Sequence, residues 1–300
     1  MVRRPGKGNS YLNMHGETFN NDPGPLPPVL AEIIEHKRGE IAALKAKTSI
    51  IELRKRIADQ APARNFFAAV TKHSMTIPTA VIAEVKRQSP SAGLIRPEYA
   101  GDSFRPDVIA EEYWAAGAAA ISCLTDTRFF GGELSFINRI KAHVPLPVLR
   151  KDFVIEPIQL YQTRAAGADA VLLIAECIET AELLDLMILA HELKLTVLLE
   201  VHTPENLLRV RPHIGFPLPA YTLLGINNRD LSSMTVNLAH TLRLLDLVED
   251  PTILVSESGI KTPQDMKRLR DAGVRIVLVG EHLMRQDHPG LGLQQLLEIS

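Results

Sequence analysis

Glu84 and Lys86 stand two residues apart at the end of the apolar run 79–83. On a strand that spacing sends both side chains to the same face. An isolated charge costs roughly several kcal/mol to bury unless it is paired or put to use. Two readings follow: a satisfied ion pair at a strand terminus, or an acid and a base in an active site with a mobile loop after it. Comparable endings recur down the chain, at Lys151 with Asp152, Glu200, Asn227 followed by Arg229, and Glu257 with Ser258. Each alone is most simply a charge capping an exposed strand end. Together they are more economically read as groups converging on one mouth. Two lysines and three carboxylates held there would shift one another's protonation and supply a general acid and base near neutrality.

A second sub-site is suggested by glycine. Ser256-Glu257-Ser258-Gly259-Ile260 follows one apolar run, and Gly280-Glu281 follows another. Backbone N–H groups exposed at such turns donate hydrogen bonds to phosphate. Gly259, Gly280 and the Glu281 backbone are therefore candidates for holding a phosphorylated small molecule, with Lys86 as countercharge. The competing reading makes both glycines turn residues only. No His-Glu-x-x-His pattern occurs, so a metal site is not expected. His202 and His282 lie near the mouth and read as surface or supporting residues, and Cys123 as core.

The elements that position these groups alternate along the chain. Apolar runs at 80–84, 119–124, 147–151, 170–174, 196–200, 223–227, 253–257 and 276–280 are nearly continuous, as in parallel strands buried on both faces. Helical patterns lie between them, at 157–166, 181–193, 204–212, 238–247 and 263–272. Eight such units fit a (β/α)8 TIM barrel, in which catalytic groups occupy the C-terminal strand ends and phosphate the loops after strands seven and eight. A doubly wound sheet is the runner-up, but no Gly-x-Gly-x-x-Gly follows the first run. Ahead of the barrel, residues 29–60 read as an extra N-terminal helical segment, entered through Pro27 and Pro28. Residues 1–27, rich in Asn, Gly and Pro toward their end, read as a disordered tail, which leaves 28–300 as a single barrel domain.

Composition narrows the function classes. The 300 residues are 46% hydrophobic and 23% charged with a net charge of −2, which gives no general affinity for nucleic acid or an anionic membrane. Apolar stretches fall short of the roughly 20 residues a membrane span needs. Two cysteines point to a reducing, cytoplasmic setting. One barrel fills the length, leaving no room for a second catalytic domain.

Several stretches taken in order are more specific: AEVKRQSPS (83–91), FFGG (129–132), PVLRKDFVI (147–155), GADAVLLIA (167–175), LLEVHT (198–203), GINNRDL (225–231), SESGI (256–260) and LVGEHLM (278–284). Together they resemble indole-3-glycerol-phosphate synthase over about residues 28–295. The resemblance implies a carboxy-lyase of tryptophan biosynthesis that needs no cofactor. It would convert 1-(2-carboxyphenylamino)-1-deoxyribulose 5-phosphate to indole-3-glycerol phosphate with release of CO2 and water. It further implies Lys151 as general acid at ring closure, Glu200 as acid or base in the dehydration, and Glu84 at the same centre. Lys86, Gly259, Gly280 and Glu281 would cradle the phosphate. Ser89, Asn227, Glu257 and Ser258 would line the substrate site, and Arg229 would meet the anthranilate carboxylate. A non-catalytic member binding a sugar phosphate or a partner protein is the alternative, and a phosphosugar isomerase is a third reading. A monomer or weak homo-oligomer is expected, with association to other tryptophan-pathway enzymes left open. Departures from the family are His282, the proline-rich segment 211–221, and residues 1–27.

Overall fold

A computed structural model of the chain describes residues 22–72 and 78–298 together with two short strands, Tyr11–Leu12 and Thr18–Phe19, which pair antiparallel. Most of the expected disordered tail lies outside the described residues. Residues 22–27 run without regular structure, and Asn206 Nδ2 donates a 3.3 Å hydrogen bond to the Pro23 carbonyl.

The stretch expected to be one helical segment is two helices. Helix α1 (Pro28–Lys47) begins with proline in its first turn and buries Leu30, Ile33, Ile34, Lys37 and Ile41 along one stripe. Helix α2 (Ile50–Ala58) starts afresh at Ser49. There the Ser49 hydroxyl accepts from the Glu52 N–H at 3.2 Å, and the Glu52 carboxylate accepts from the Ser49 N–H at 2.8 Å. This reciprocal cap satisfies donors that a continuous helix would have bonded internally, so the break costs little. A third helix, α3 (Phe66–Thr71), is capped by Asn65 and drives Phe66 and Val70 into the barrel floor beside Ala80, Ala120 and Ile276.

Eight parallel strands close into the expected barrel: β1 (Ala80–Val85), β2 (Ala120–Leu124), β3 (Val148–Lys151), β4 (Ala170–Ile174), β5 (Thr196–Val201), β6 (Thr222–Asn227), β7 (Leu254–Glu257) and β8 (Ile276–Val279). Alternate residues divide between two cores, as the pleat requires. Ile82, Leu149, Leu172, Leu198, Val255 and Leu278 fill the interior. Val81, Ala83, Ile121, Cys123, Val171 and Leu199 face outward into the layer shared with the helices. Cys123 is thus core, as its place in the second run suggested. The next inward step above the interior layer carries Glu84, Lys151, Glu200, Asn227 and Glu257. The alternation that builds the floor therefore also aims these five at the mouth.

Candidate active site

The mouth holds a cavity of about 570 Å³ whose walls differ in chemistry. Toward β2–β4 it is apolar, with Leu124, Phe130, Phe153, Leu172 and Ile174, and α1 adds Val29, Leu30 and Ile33. Toward β6–β8 and β1 it is polar, with Lys86, Asn227, Arg229, Ser258, Gly259, Lys261, Gly280, Glu281 and Arg285. A ligand with a flat apolar end and an anionic end would satisfy both walls.

Charged groups fill the floor between these walls. Lys151 Nζ lies 2.5 Å from Glu200 Oε2 and 3.1 Å from Glu257 Oε2. Lys86 Nζ lies 2.6 Å from Glu84 Oε1, so the ion pair considered at the outset exists and lines the cavity. Asn227 Nδ2 donates to Glu200 Oε1 at 3.1 Å, and Ser122 Oγ to Glu84 Oε2 at 3.4 Å. Burial alone would lower the Lys151 pKa, but Glu200, Glu257 and Glu84 outweigh it and hold the ammonium charged well past neutrality. Burial pushes the Glu200 carboxyl up, yet Lys151 and His202 together bring it well below its ordinary value. Glu257 receives no such compensation: burial, then the Glu200 charge, push it up to about 8, against the pull of Lys151. The site therefore sets side by side two carboxyls whose proton affinities are shifted in opposite directions, an arrangement suited to moving protons.

Two inward glycines make room for two of these carboxyls. A Cβ on Gly280 would sit 2.2 Å from Glu84 Oε1, and one on Gly225 would sit 2.3 Å from Glu257 Oε1. Gly280, expected for phosphate contact or turn geometry, is required by Glu84 as well. Ser258 and Gly259 follow β7 with φ of 67° and 84°, two successive residues in the left-handed region, and both line the cavity. Asn228 braces that turn through its side-chain amide, which donates to the Glu257 and Ser258 carbonyls at 2.9 and 3.0 Å.

The loop after Lys86 folds into a small hairpin, Gln88–Ser89 with Gly93–Leu94, and Ser89 to Ala92 line the cavity. Arg229 Nη1 reaches Ser91 Oγ at 3.3 Å, and its Nη2 lies 3.3 Å from Glu281 Oε2. Arg229 thus points to the side of the glycine loops, away from the apolar wall.

A family model described as indole-3-glycerol phosphate synthase matches residues 30–296. The chain belongs to the indole-3-glycerol phosphate synthase family. Proteins of that name from Acidithiobacillus ferrooxidans and Neisseria gonorrhoeae are 43% and 44% identical to it over 271 and 272 residues. Those alignments cover 90% of this chain and 99% and 100% of the relatives. Among solved structures, 3-hexulose-6-phosphate synthase from Salmonella typhimurium superposes with a TM-score of 0.56 at 13% identity, covering 73% of this chain and 97% of that one, which bears on the barrel alone.

Every residue singled out from the sequence as a member of this family lines the one cavity: Glu84, Lys86, Ser89, Lys151, Glu200, Asn227, Arg229, Glu257, Ser258, Gly259, Gly280 and Glu281. Other contributors were not picked out by that reading. Helix α1 forms part of the wall; its signal was Lys37, a charge set among the apolar residues of one stripe. Lys261 and Arg285 add cations to the polar rim, with no local pattern to mark them. Phe130 and Phe153, with ring centroids 6.0 Å apart, form the aromatic part of the wall. His202, expected at the surface or in support, is buried against Glu200 and Glu176.

Proposed function

We propose that the chain catalyses ring closure, decarboxylation and dehydration of 1-(2-carboxyphenylamino)-1-deoxyribulose 5-phosphate to indole-3-glycerol phosphate, as a carbon–carbon lyase. The observation that carries this reading is a proton-transfer cluster, Lys151 with Glu200 and Glu257, set between an apolar wall and a glycine-lined cationic rim. The aromatic ring of the substrate fits the first, and its phosphate the second.

In the first step the ring carbon bearing the carboxylate attacks the ketone carbon, and the ketone oxygen takes a proton from the Lys151 ammonium. The bond to the carboxylate then breaks, its electron pair restores aromaticity, and CO2 leaves. In the second step the new hydroxyl departs as water with a proton drawn from solvent and relayed through Glu200, which rests as a carboxylate; this proton balances the one that decarboxylation consumes. Glu84 removes a proton from the carbon beside the amine, closing the double bond. Lys151 and Glu200 are within hydrogen-bond distance of each other, so the proton spent by one can be returned through the other. Lys86, Gly259, Gly280 and the Glu281 backbone hold the phosphate, and Ser89, Asn227, Arg229, Glu257 and Ser258 complete the substrate site.

Following indole fluorescence after mixing purified protein with this substrate tests the assignment. The reading requires emission to rise together with CO2 in equal amounts. Substrate binding without either product would instead identify a binding member of the family.

A further inference from the structure

His202 lies just past β5, and both of its ring nitrogens face carboxylates. Nδ1 is 3.3 Å from Glu176 Oε2, and Nε2 is 3.2 Å from Glu200 Oε1. Glu176 sits on the short turn Ala175–Cys177 after β4, and its Oε1 also accepts the His202 backbone N–H at 2.8 Å. Carboxylate oxygens accept but do not donate, so a ring facing one on each side is satisfied only with a proton on both nitrogens. The Nε2 contact lies off the line of a good hydrogen bond, and the atom has no other partner among the described residues. It acts on Glu200 as a nearby charge.

Glu200 Oε1 is thereby held from two directions, by His202 and by Asn227 Nδ2, while Oε2 faces Lys151 at 2.5 Å. We propose that His202 is a positioning residue: an imidazolium bridging Glu200 and Glu176 that fixes the Glu200 carboxylate with Oε2 toward Lys151. This rests on the assignment of Glu200 to the reaction. Burial would lower the His202 pKa, but the two carboxylates bring it up to about 10, consistent with a ring charged throughout the neutral range. The other groups facing this triad are Lys151 and Glu257 from across the barrel floor, and Arg209, whose charge acts on Glu176. Cys177, on the same turn as Glu176, and His240, with Nε2 2.9 Å from the His202 carbonyl, also face it.

The test uses His202→Gln and Glu176→Gln in the full chain, with steady-state kinetics across pH, thermal unfolding, and nitrogen NMR of labelled histidine. Misplacing a proton-transfer group by about 1 Å can cost about 10²-fold, so kcat of His202→Gln is expected to fall by about that factor. KM is expected to change by less than about threefold, because the loss falls on the transition state. The acidic limb of kcat against pH should move upward, since Glu200 loses a neighbouring positive charge. In the wild type the His202 ring should show two protonated nitrogens at pH 8, and Glu176→Gln should lower its titration by about one pH unit or more. A folded His202→Gln with unaltered kcat and pH profile would overturn the proposal, as would a neutral ring at pH 7. Should His202→Gln not fold, Glu176→Gln and the NMR titration carry the test. A wild type without turnover would remove the reading of the reaction, and with it the role proposed for His202, while the NMR titration would still report whether the ion triad exists.

Discussion

Strand β3 separates two charge clusters that differ by one residue in sequence and by everything in chemistry. On its outer side Arg150 and Asp152 join Lys37 and Asp126. Lys37 Nζ lies 2.8 Å from Asp126 and 2.9 Å from Asp152, and Arg150 Nη2 lies 2.9 Å from Asp152. Thr125 donates to Asp152 at 2.6 Å, and Arg150 Nη1 to Thr163 at 3.0 Å. On the inner side Lys151 joins Glu200, Glu257 and, through Glu200, His202. Among the described residues, four buried side-chain polar atoms lack a hydrogen bond; Glu257 Oε1 and His202 Nε2 are two of them, and none belongs to the outer cluster. The shifts in proton affinity follow that division in part: Lys151 and Glu200 are held in their charged forms, as the outer groups are, and the difference lies in Glu257 and His202. Burial works against the charges of Lys37 and Asp152, but their partners prevail, raising the lysine and lowering the aspartate away from neutrality. Glu257 and His202 are instead brought to about 8 and about 10. A saturated cluster is an anchor, here fastening α1 over the barrel mouth. An unsaturated one of similar composition can take up and release protons.

Breaking the anchor should cost stability first. Lys37→Met leaves Asp126 and Asp152 buried without their ammonium, a loss of about 3–5 kcal/mol. Denaturant unfolding should register it, while turnover per folded molecule falls by less than about tenfold, well short of the roughly 10²-fold or more expected for a proton-transfer group. Disturbing the inner cluster should do the reverse. Gly280→Ala places a methyl group on the Glu84 carboxyl, and kcat is expected to fall by about 10²-fold. Adding Gly280→Ala to Glu84→Ala should then cost little more, because the clash has gone. A large further loss would assign Gly280 mainly to phosphate contact.

A further effect sharpens the contrast through pH. The Glu257 pKa is raised from 4.5 to about 8 on folding, so the folded state holds a proton that the unfolded state has released across that window. Its contribution to stability is fully present below about pH 4.5 and is lost as pH rises to about 8, at up to ~1.4 kcal/mol per pH unit. Glu257→Gln cannot titrate. The stability of this variant relative to wild type should therefore improve from about pH 5 to about pH 8 and level off above. A flat difference in equilibrium unfolding across that window would show that Glu257 is ionised in the folded protein.

The comparison also explains what the sequence made legible. Inward-facing residues follow from a period of two within one strand, so Glu84, Lys151, Glu200, Asn227 and Glu257 could be read from local pattern, and the strand limits agree to within a residue or two. Partners brought together from distant segments could not. Lys37 and Asp126 are 89 residues apart, and His202 and Glu176 are 26 apart. Nothing near His202 in sequence announces the second carboxylate. Gly225 reads as a strand glycine until the Glu257 carboxyl is seen to need its space. The break between α1 and α2 had a local signal in Ser49 and Glu52, but the long apolar repeat on either side obscured it.

The most direct test is Lys151→Met, measured for turnover and for unfolding on the same sample beside Lys37→Met. Removing the proton donor of the unsaturated cluster should lower kcat by about 10³-fold or more. Its midpoint of unfolding should stay closer to wild type than that of Lys37→Met. A Lys151→Met protein that still turns over at near the wild-type rate would contradict the account, because the inner cluster would then be an anchor like the outer one.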